Sequence, residues 1–393
     1  MLQNFEFCVP TRFVFGKGAE HKIGEKLRIM EIKKVLIHHD NGRFLFDSGL
    51  LEGIHEDLKS HGIAYCELGG VLPNPRLSLV YQGIELARDE KADFILAIGG
   101  GSVIDSAKAI GIGSPYSGDV WDFFSRGIHP EESLPVGVLL TLPATGSESS
   151  RVTVINNTDE KKKLLTSTDA VRPAIVFMNP ELTFSLPPFM TACGVVDMFS
   201  HTCERYFSPD PEISVIDRMA EGILKTLVKV GPDLMNDPHN YSHRAEVMWI
   251  GTIAHNDTVG VGRTQDWATH EIGNELSALY DTPHGATLSI IMGSWMRYVY
   301  KKDIGRFARY AEEVFDVTPG SGPEKTALLG IERTEEFFRS MKMPTCFSDF
   351  KIPTDGIDAM LERIAFRGEH HTIGGFAPLT PEDVRAIYEM ASR

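Results

Sequence analysis

The five cysteines of this 393-residue chain (Cys8, Cys66, Cys193, Cys203 and Cys346) form no CxxC pair and no compact framework. That absence excludes a disulfide scaffold and predicts buried thiols in a reducing, cytoplasmic setting. Basic residues are also short. Lys and Arg number 39 against 54 Asp and Glu, for a formal charge of −15. A general attraction to nucleic-acid phosphates is disfavoured by that balance, so no nucleic-acid partner is expected. The start, MLQNFEFCVPTRFVFGKG, lacks a basic segment followed by an apolar run, so no signal peptide is expected. Long apolar runs are missing too. The longest, Phe94–Gly113, is broken by Asp105, Lys108 and a glycine cluster. It reads as strand, turn and helix rather than as a membrane span. Internal repeats and low-complexity segments are absent.

What is present is an ordinary globular composition, 42% hydrophobic and 24% charged, with enough residues for two domains. The first half alternates strands and helices. Lys34–His38, Ala64–Leu68, Phe94–Ile98, Val136–Leu140 and Ala174–Phe177 read as strands, and Leu50–His61 and Leu77–Glu90 as helices. Continuously apolar FILAI is what a strand covered on both faces requires, so the rhythm predicts a doubly wound parallel sheet. Beyond the prolines of NPELTFSLPP the pattern turns helical. Pro187–Tyr206, Glu212–Val230, His243–His255, Ala268–Leu279, Thr287–Tyr300 and Gly305–Phe315 all carry helical periodicity. The expected division is residues 1–183, α/β, and residues 184–393, all-α. With no flexible linker between them, a cleft is the expected ligand site.

Four polar residues stand out. Asp197 and His201 lie four apart in GVVDMFSH, so a helix stacks them on one face. His270 lies in DWATHEIGNEL, and His284 follows fourteen residues on, in TPHGATL. One carboxylate and three imidazoles suit a divalent ion such as Zn²⁺ or Fe²⁺, which with an open position can polarise a hydroxyl or carbonyl oxygen. Each of the four also has a plain reading as a surface, turn or hydrogen-bonded core residue. Other histidines, His38-His39 and His370-His371, read as scattered.

Two loops follow apolar strands. In IGGGSVIDSAK, Gly99, Gly100 and Gly101 permit close backbone approach, and Ser102 opens a helix whose first amides can hold a pyrophosphate. The motif is not GxGxxG, and a tight turn explains it as well. In TLPATGSE, Thr141, Thr145 and Ser147 can bond ribose or phosphate, or simply shape a turn. Asp40, after the first strand, can accept from an adenosine ribose and repel a 2′-phosphate, or can serve as the turn Asp of DNG.

Taken together, FVFGKGA, GGGSVIDSAK, TLPATGSE, GVVDMFSH, DWATHEIGNELSA and TPHGATL resemble the iron-containing (group III) alcohol dehydrogenases over almost the whole length. QDWATHEIGNELSAL and IGGFAPLTPEDV are closest to the butanol dehydrogenase-like branch. The resemblance implies an N-terminal Rossmann-like domain and an all-α C-terminal domain. It implies one Fe²⁺ or Zn²⁺ on Asp197, His201, His270 and His284. It also implies a nicotinamide nucleotide on Gly99–Ser102, Asp105, Thr141, Thr145, Ser147 and a lysine, Lys162 or Lys163. Asp40 implies NAD(H) in preference to NADP(H). The implied substrate is a short- to medium-chain primary alcohol or aldehyde, and the implied assembly a homodimer or larger homo-oligomer. One position departs from the pattern: Asn274 stands where many relatives carry a second His. An amide cannot exchange the proton that an imidazole can, so Asn274 is expected to orient substrate or water, with His255 as a replacement proton carrier. Three alternatives accompany this reading: a glycerol- or diol-type dehydrogenase, a dehydroquinate synthase-like lyase and a catalytically lapsed nucleotide-binding protein.

Overall fold

The computed structural model describes residues 2–210, 214–320 and 322–393. The chain divides into two compact units. One is Cys8–Leu186, and the other joins the first residues, up to Phe7, to Pro187–Arg393.

The first unit contains β1 (Arg12–Phe15), β2 (Lys34–Asp40), β3 (Ala64–Val71), β4 (Phe94–Gly99), β5 (Val136–Leu140), β6 (Val152–Asn157), β7 (Lys162–Ser167) and β8 (Ile175–Met178). Six of them form one sheet in the order β1-β8-β5-β4-β2-β3, with every pairing parallel. All six residues of β4 are buried, as the continuously apolar FILAI run requires of a strand covered on both faces. Its neighbours in sequence are the helices Leu77–Asp89 and Gly101–Gly113. The chain leaves β2 for the outer strand β3, returns to β4 on the other side of β2, and then continues outward to β5. The strand order therefore reverses between β2 and β4. Open α/β sheets bind ligands beyond the carboxyl ends of the strands at such a reversal. His39 pairs with Ile98 across that junction, so Asp40 and Gly99 end neighbouring strands.

Five strands fall where the sequence predicts them, within a few residues at each end. β1 and the antiparallel hairpin β6–β7 do not register in the apolar pattern. β1 has only four residues, at the sheet edge. In the hairpin only one face is buried, and the buried residues include Thr153 and Asn157. Polar residues on the covered face erase the apolar alternation on which such a prediction depends.

The helical unit is built from Pro188–Tyr206, Ser214–Asn236, Tyr241–His255, Ala268–Tyr280, His284–Val299, Ile304–Phe315, Pro323–Ser340 and Pro381–Ala391, among shorter turns. The expected helix start at Glu212 lies outside the described residues. From Ser214 that helix passes the expected end at Val230 and runs through Pro232 to Asn236. Tertiary packing outweighs the proline there: Leu234 is fully buried, and a side chain at Gly231 would press on Met341, Val195 and Phe337. The helix expected from Thr287 begins at His284 instead, directly after Pro283. The sequence boundary at 183/184 lies close to Leu186/Pro187, but the amino terminus belongs with the helical unit. There the Gln3 amide donates to Gly262 O at 2.9 Å and its side chain to Asp210 at 2.8 Å.

Helix Pro188–Tyr206 is buried from Thr191 to Tyr206 and forms the axis of this unit. Gly285 lets helix His284–Val299 touch it: a Cβ at Gly285 would lie 2.4 Å from the Cys193 carbonyl oxygen and 2.6 Å from its Cα. Neither backbone can yield without separating the helices. Gly285→Ala is expected to destabilise the fold by about 1–3 kcal/mol. A melting temperature equal to that of the parent protein would contradict this packing account.

Candidate metal and nucleotide sites

Helix geometry brings Asp197 and His201 to one buried face. Helix Ala268–Tyr280 adds His270 in its first turn, and His284 opens the next long helix. The Nε2 atoms of His201, His270 and His284 lie 3.6, 3.5 and 3.6 Å from the same Asp197 Oδ1. These separations exceed a hydrogen bond. They match donors sharing a cation, since two atoms each ~2.1 Å from a tetrahedral ion stand ~3.4 Å apart. Asp197 Oδ1 and His270 Nε2 are buried without a hydrogen-bond partner among the described residues. Ligand atoms of Asp197, His201 and His270 all fall within 4.8 Å of one another. His284 completes the set at the rim, its side chain 32% exposed. The residues fit a divalent Zn²⁺ or Fe²⁺ ion: three nitrogens, one oxygen and orphaned acceptors aimed at one point.

A second layer holds these ligands. Glu204, fully buried, accepts from the His270 backbone amide at 3.0 Å and bonds its Nδ1, which leaves Nε2 to face the cluster. The sequence reading passed over Glu204, although it lies seven residues beyond Asp197 and three beyond His201, on the same helix face. Burial works against the His270 imidazolium, but the Glu204 charge, the hydrogen bond to Glu204 and the nearby Asp197 carboxylate outweigh it and push the pKa up to about 9. His201, by contrast, is held well below the usual range by burial and by the imidazoles around it. Asp266 accepts from the amides of Ala268, Gly375 and Phe376, tying the GGF segment to the start of the His270 helix. Burial pushes its carboxyl up to about 7.

His255 stacks on His201 with ring centroids 4.1 Å apart, and its Nδ1 accepts from Arg205 Nη2 at 3.2 Å. Trp267 adopts φ +102°, a strained conformation for a bulky residue, with its ring against His201, His255 and His270. The Arg205 guanidinium lies over that ring at 4.7 Å. Asn274 follows one turn after His270, half-buried, with no side-chain hydrogen bond among the described residues. His38 is a satisfied core residue, bonded to Leu68 O and Ser106 Oγ, each at 2.8 Å. His370 and His371 are exposed.

In the first unit, the glycine run leads from β4 into helix Gly101–Gly113, whose first turn has no side-chain cap. Its leading amides are open to an anion. A Cβ at Gly101 would meet Thr145 Oγ1 at 2.5 Å, and one at Gly100 would meet Leu142 at 3.0 Å. The glycines thus serve packing as well: they let the two loops touch. Thr141 N donates to Gly99 O at 3.1 Å, and Ser147 Oγ donates to Asp105 at 2.5 Å. Lys108 is the other residue missed in the sequence. It is fully buried and donates to Ser147 Oγ, Ser150 O and Val152 O at 3.0, 3.0 and 2.9 Å. Burial lowers its pKa to about 8 against the pull of Asp105. Asp40 Oδ1 accepts from Gly42 N at 2.7 Å, so the turn role is realised. Lys162 is exposed and paired with Glu160 at 2.8 Å. Successive strand residues face opposite ways, and Lys163 instead donates to Asn74 at 3.0 Å; burial raises the Asp105 pKa, and the charges of Lys108 and, more weakly, Lys163 oppose that rise.

No helix among the described residues is long and apolar enough to cross a membrane. The model for "Iron-containing alcohol dehydrogenase" matches residues 10–180. The model for "Fe-containing alcohol dehydrogenase family, C-terminal" matches residues 191–392. The chain is 38% identical over 387 residues to the probable NADH-dependent butanol dehydrogenase 2 of Bacillus subtilis, covering 98% of this chain and 99% of that one. It is 36% identical over 393 residues to the NADPH-dependent aldehyde reductase YqhD of Escherichia coli, covering 99% and 100%. The crystal structure of NADH-dependent butanol dehydrogenase A from Thermotoga maritima matches with a TM-score of 0.95 at 38% identity, over 100% of this chain and 99% of that chain. Both halves of the family pattern, a parallel sheet with a glycine loop and a helical unit with an Asp/His cluster, are present in one chain, and the protein belongs to the iron-containing alcohol dehydrogenase family.

Proposed function

We propose that the protein is an NAD(H)-preferring alcohol dehydrogenase and aldehyde reductase acting on short- to medium-chain primary alcohols and aldehydes. The observation that carries this reading is the convergence of three imidazoles on Asp197 Oδ1 at 3.5–3.6 Å. A divalent ion held there supplies Lewis acidity toward an alcohol or carbonyl oxygen, and the nicotinamide supplies the hydride chemistry. The chain's own residues bind and orient. Asp197, His201, His270 and His284 provide the donor set, and Glu204 keeps His270 in the tautomer that presents Nε2. Gly99–Ser102 receives the pyrophosphate at a helix start, with Asp105, Thr141, Thr145 and Ser147 shaping the adjoining loop. Lys163, rather than Lys162, is the lysine on the Asp105 side. Asp40 favours a ribose hydroxyl over a 2′-phosphate. Asn274 orients substrate or water, and His255 carries the proton that an amide cannot.

Three outcomes test this. His270→Ala is expected to lose the bound ion and to lower aldehyde reduction at least a hundredfold, of the order expected from loss of a metal ligand or its support. Metal analysis and the nicotinamide absorbance with butyraldehyde report both; retention of metal together with parent turnover would refute the site. In the metal-free protein His270 carries a proton below about pH 9, and that proton must leave for a cation to bind. Zinc affinity, measured against a chelator, should therefore rise about tenfold per pH unit between pH 7 and 9. A flat profile would contradict the charge state of His270. Finally, Asp40→Gly should raise kcat/KM with NADPH relative to NADH. An unchanged ratio would remove Asp40 as the source of preference.

A further inference from the structure

The end of β2 carries a second charge of opposite sign to Asp40. Asp40 ends β2 at the strand-order reversal, and Asn41 and Gly42 lead from it into the short helix Arg43–Asp47. Asp40 is drawn into this turn by the Gly42 amide at 2.7 Å, so one carboxylate oxygen is already occupied. Glu67, on the neighbouring strand β3, is also spoken for: His39 Nε2 meets one oxygen at 3.0 Å and His55 Nε2 the other at 2.9 Å. Arg43, three residues after Asp40, is exposed, and no acceptor among the described residues takes its guanidinium. Asp47, one helical turn on, forms no ion pair with it among the described residues. The backbone around the turn is held in place. A Cβ at Gly69 would come 2.7 Å from both Asn41 Oδ1 and His39 Cε1, so β3 packs directly on the turn.

The two carboxylates that would repel a phosphate at this edge are thus hydrogen-bonded, while the one guanidinium of the turn is unengaged. Guanidinium is the side chain whose planar donors match phosphate oxygens. A 2′-phosphate on the adenosine ribose carries close to two negative charges at neutral pH. We infer that Arg43 is a specificity-determining residue that receives the adenosine 2′-phosphate, so that the protein accepts NADP(H) beside NAD(H). This rests on the reading that the β2 end receives the adenosine ribose. The two charges then divide the selection: Asp40 favours the free hydroxyl, and Arg43 offsets its penalty on the phosphate. Relatives of similar identity that are named NADH-dependent and NADPH-dependent leave the choice to such local residues.

The test uses the intact protein and two non-reacting probes, 5′-ADP and 2′,5′-ADP, titrated by calorimetry. Arg43→Ala is expected to weaken 2′,5′-ADP on the order of tenfold, the value of a charge-assisted hydrogen bond, and to leave 5′-ADP within about twofold. Arg43→Lys should restore part of the loss, because it keeps the charge but not the fork. If Arg43→Ala leaves 2′,5′-ADP binding unchanged, or weakens both probes alike, the inference is overturned. Asp40→Gly, titrated in parallel, separates the parent reading. Unaltered binding of both probes to that variant removes the role of Asp40, while discrimination by Arg43→Ala would still stand.

Discussion

A single carboxylate oxygen organises the helical unit. Asp197 Oδ1 is buried, carries no hydrogen bond among the described residues and faces three imidazole nitrogens at nearly equal distance. An unpartnered buried carboxylate oxygen costs free energy, and a divalent ion held by the four donors would offset that cost. Satisfying it requires three helices to converge. Helix Pro188–Tyr206 supplies Asp197 and His201, Gly285 admits the His284 helix to near contact, and Asp266 anchors the start of the His270 helix. The strained Trp267 backbone belongs to the same junction and is held by packing against the histidines and Arg205.

The parallel sheet solves a different problem. Its task is to leave backbone amides and small side chains open at one edge. Glycines let the loops after β4 and β5 touch, and buried Lys108 fastens the second loop from below through three oxygens. A lysine without a carboxylate in direct contact is an expensive element in a core. Hydrogen bonds offset part of that expense, and the gain is a fixed shape for the loop. The same economy appears at the β2 end, where Glu67 is shared by two imidazoles and Asp40 turns on its own backbone.

Much of this was legible in the sequence. Continuous apolar runs marked the buried strands, because a strand covered on both faces has no polar side. The i, i+4 pair Asp197/His201 marked a helix face. Edge strand β1 escaped because it has only four residues, and the hairpin β6–β7 because polar residues such as Thr153 occupy its covered face. Glu204 and Lys108 escaped for a related reason. Charged residues in apolar helices read as surface positions, and only their partners reveal them as internal struts. The KKK run could not be resolved by spacing; strand alternation separates Lys163 from Lys162 once the hairpin is seen.

The sequence by itself determined the fold class and the family and singled out Asp197, His201, His270 and His284 as candidates, since those depend on residue types at local periodicities and on motif order. The tertiary structure decided which atoms meet. His284 is fourteen residues from His270, and Asp197 is in another helix, so no periodicity relates them. Only the packing of helix on helix brings Nε2 of each to within 3.6 Å of one oxygen. It likewise decided that Glu204 supports His270 and that His255 stacks on His201, because contacts between distant segments follow from close packing rather than from local propensity.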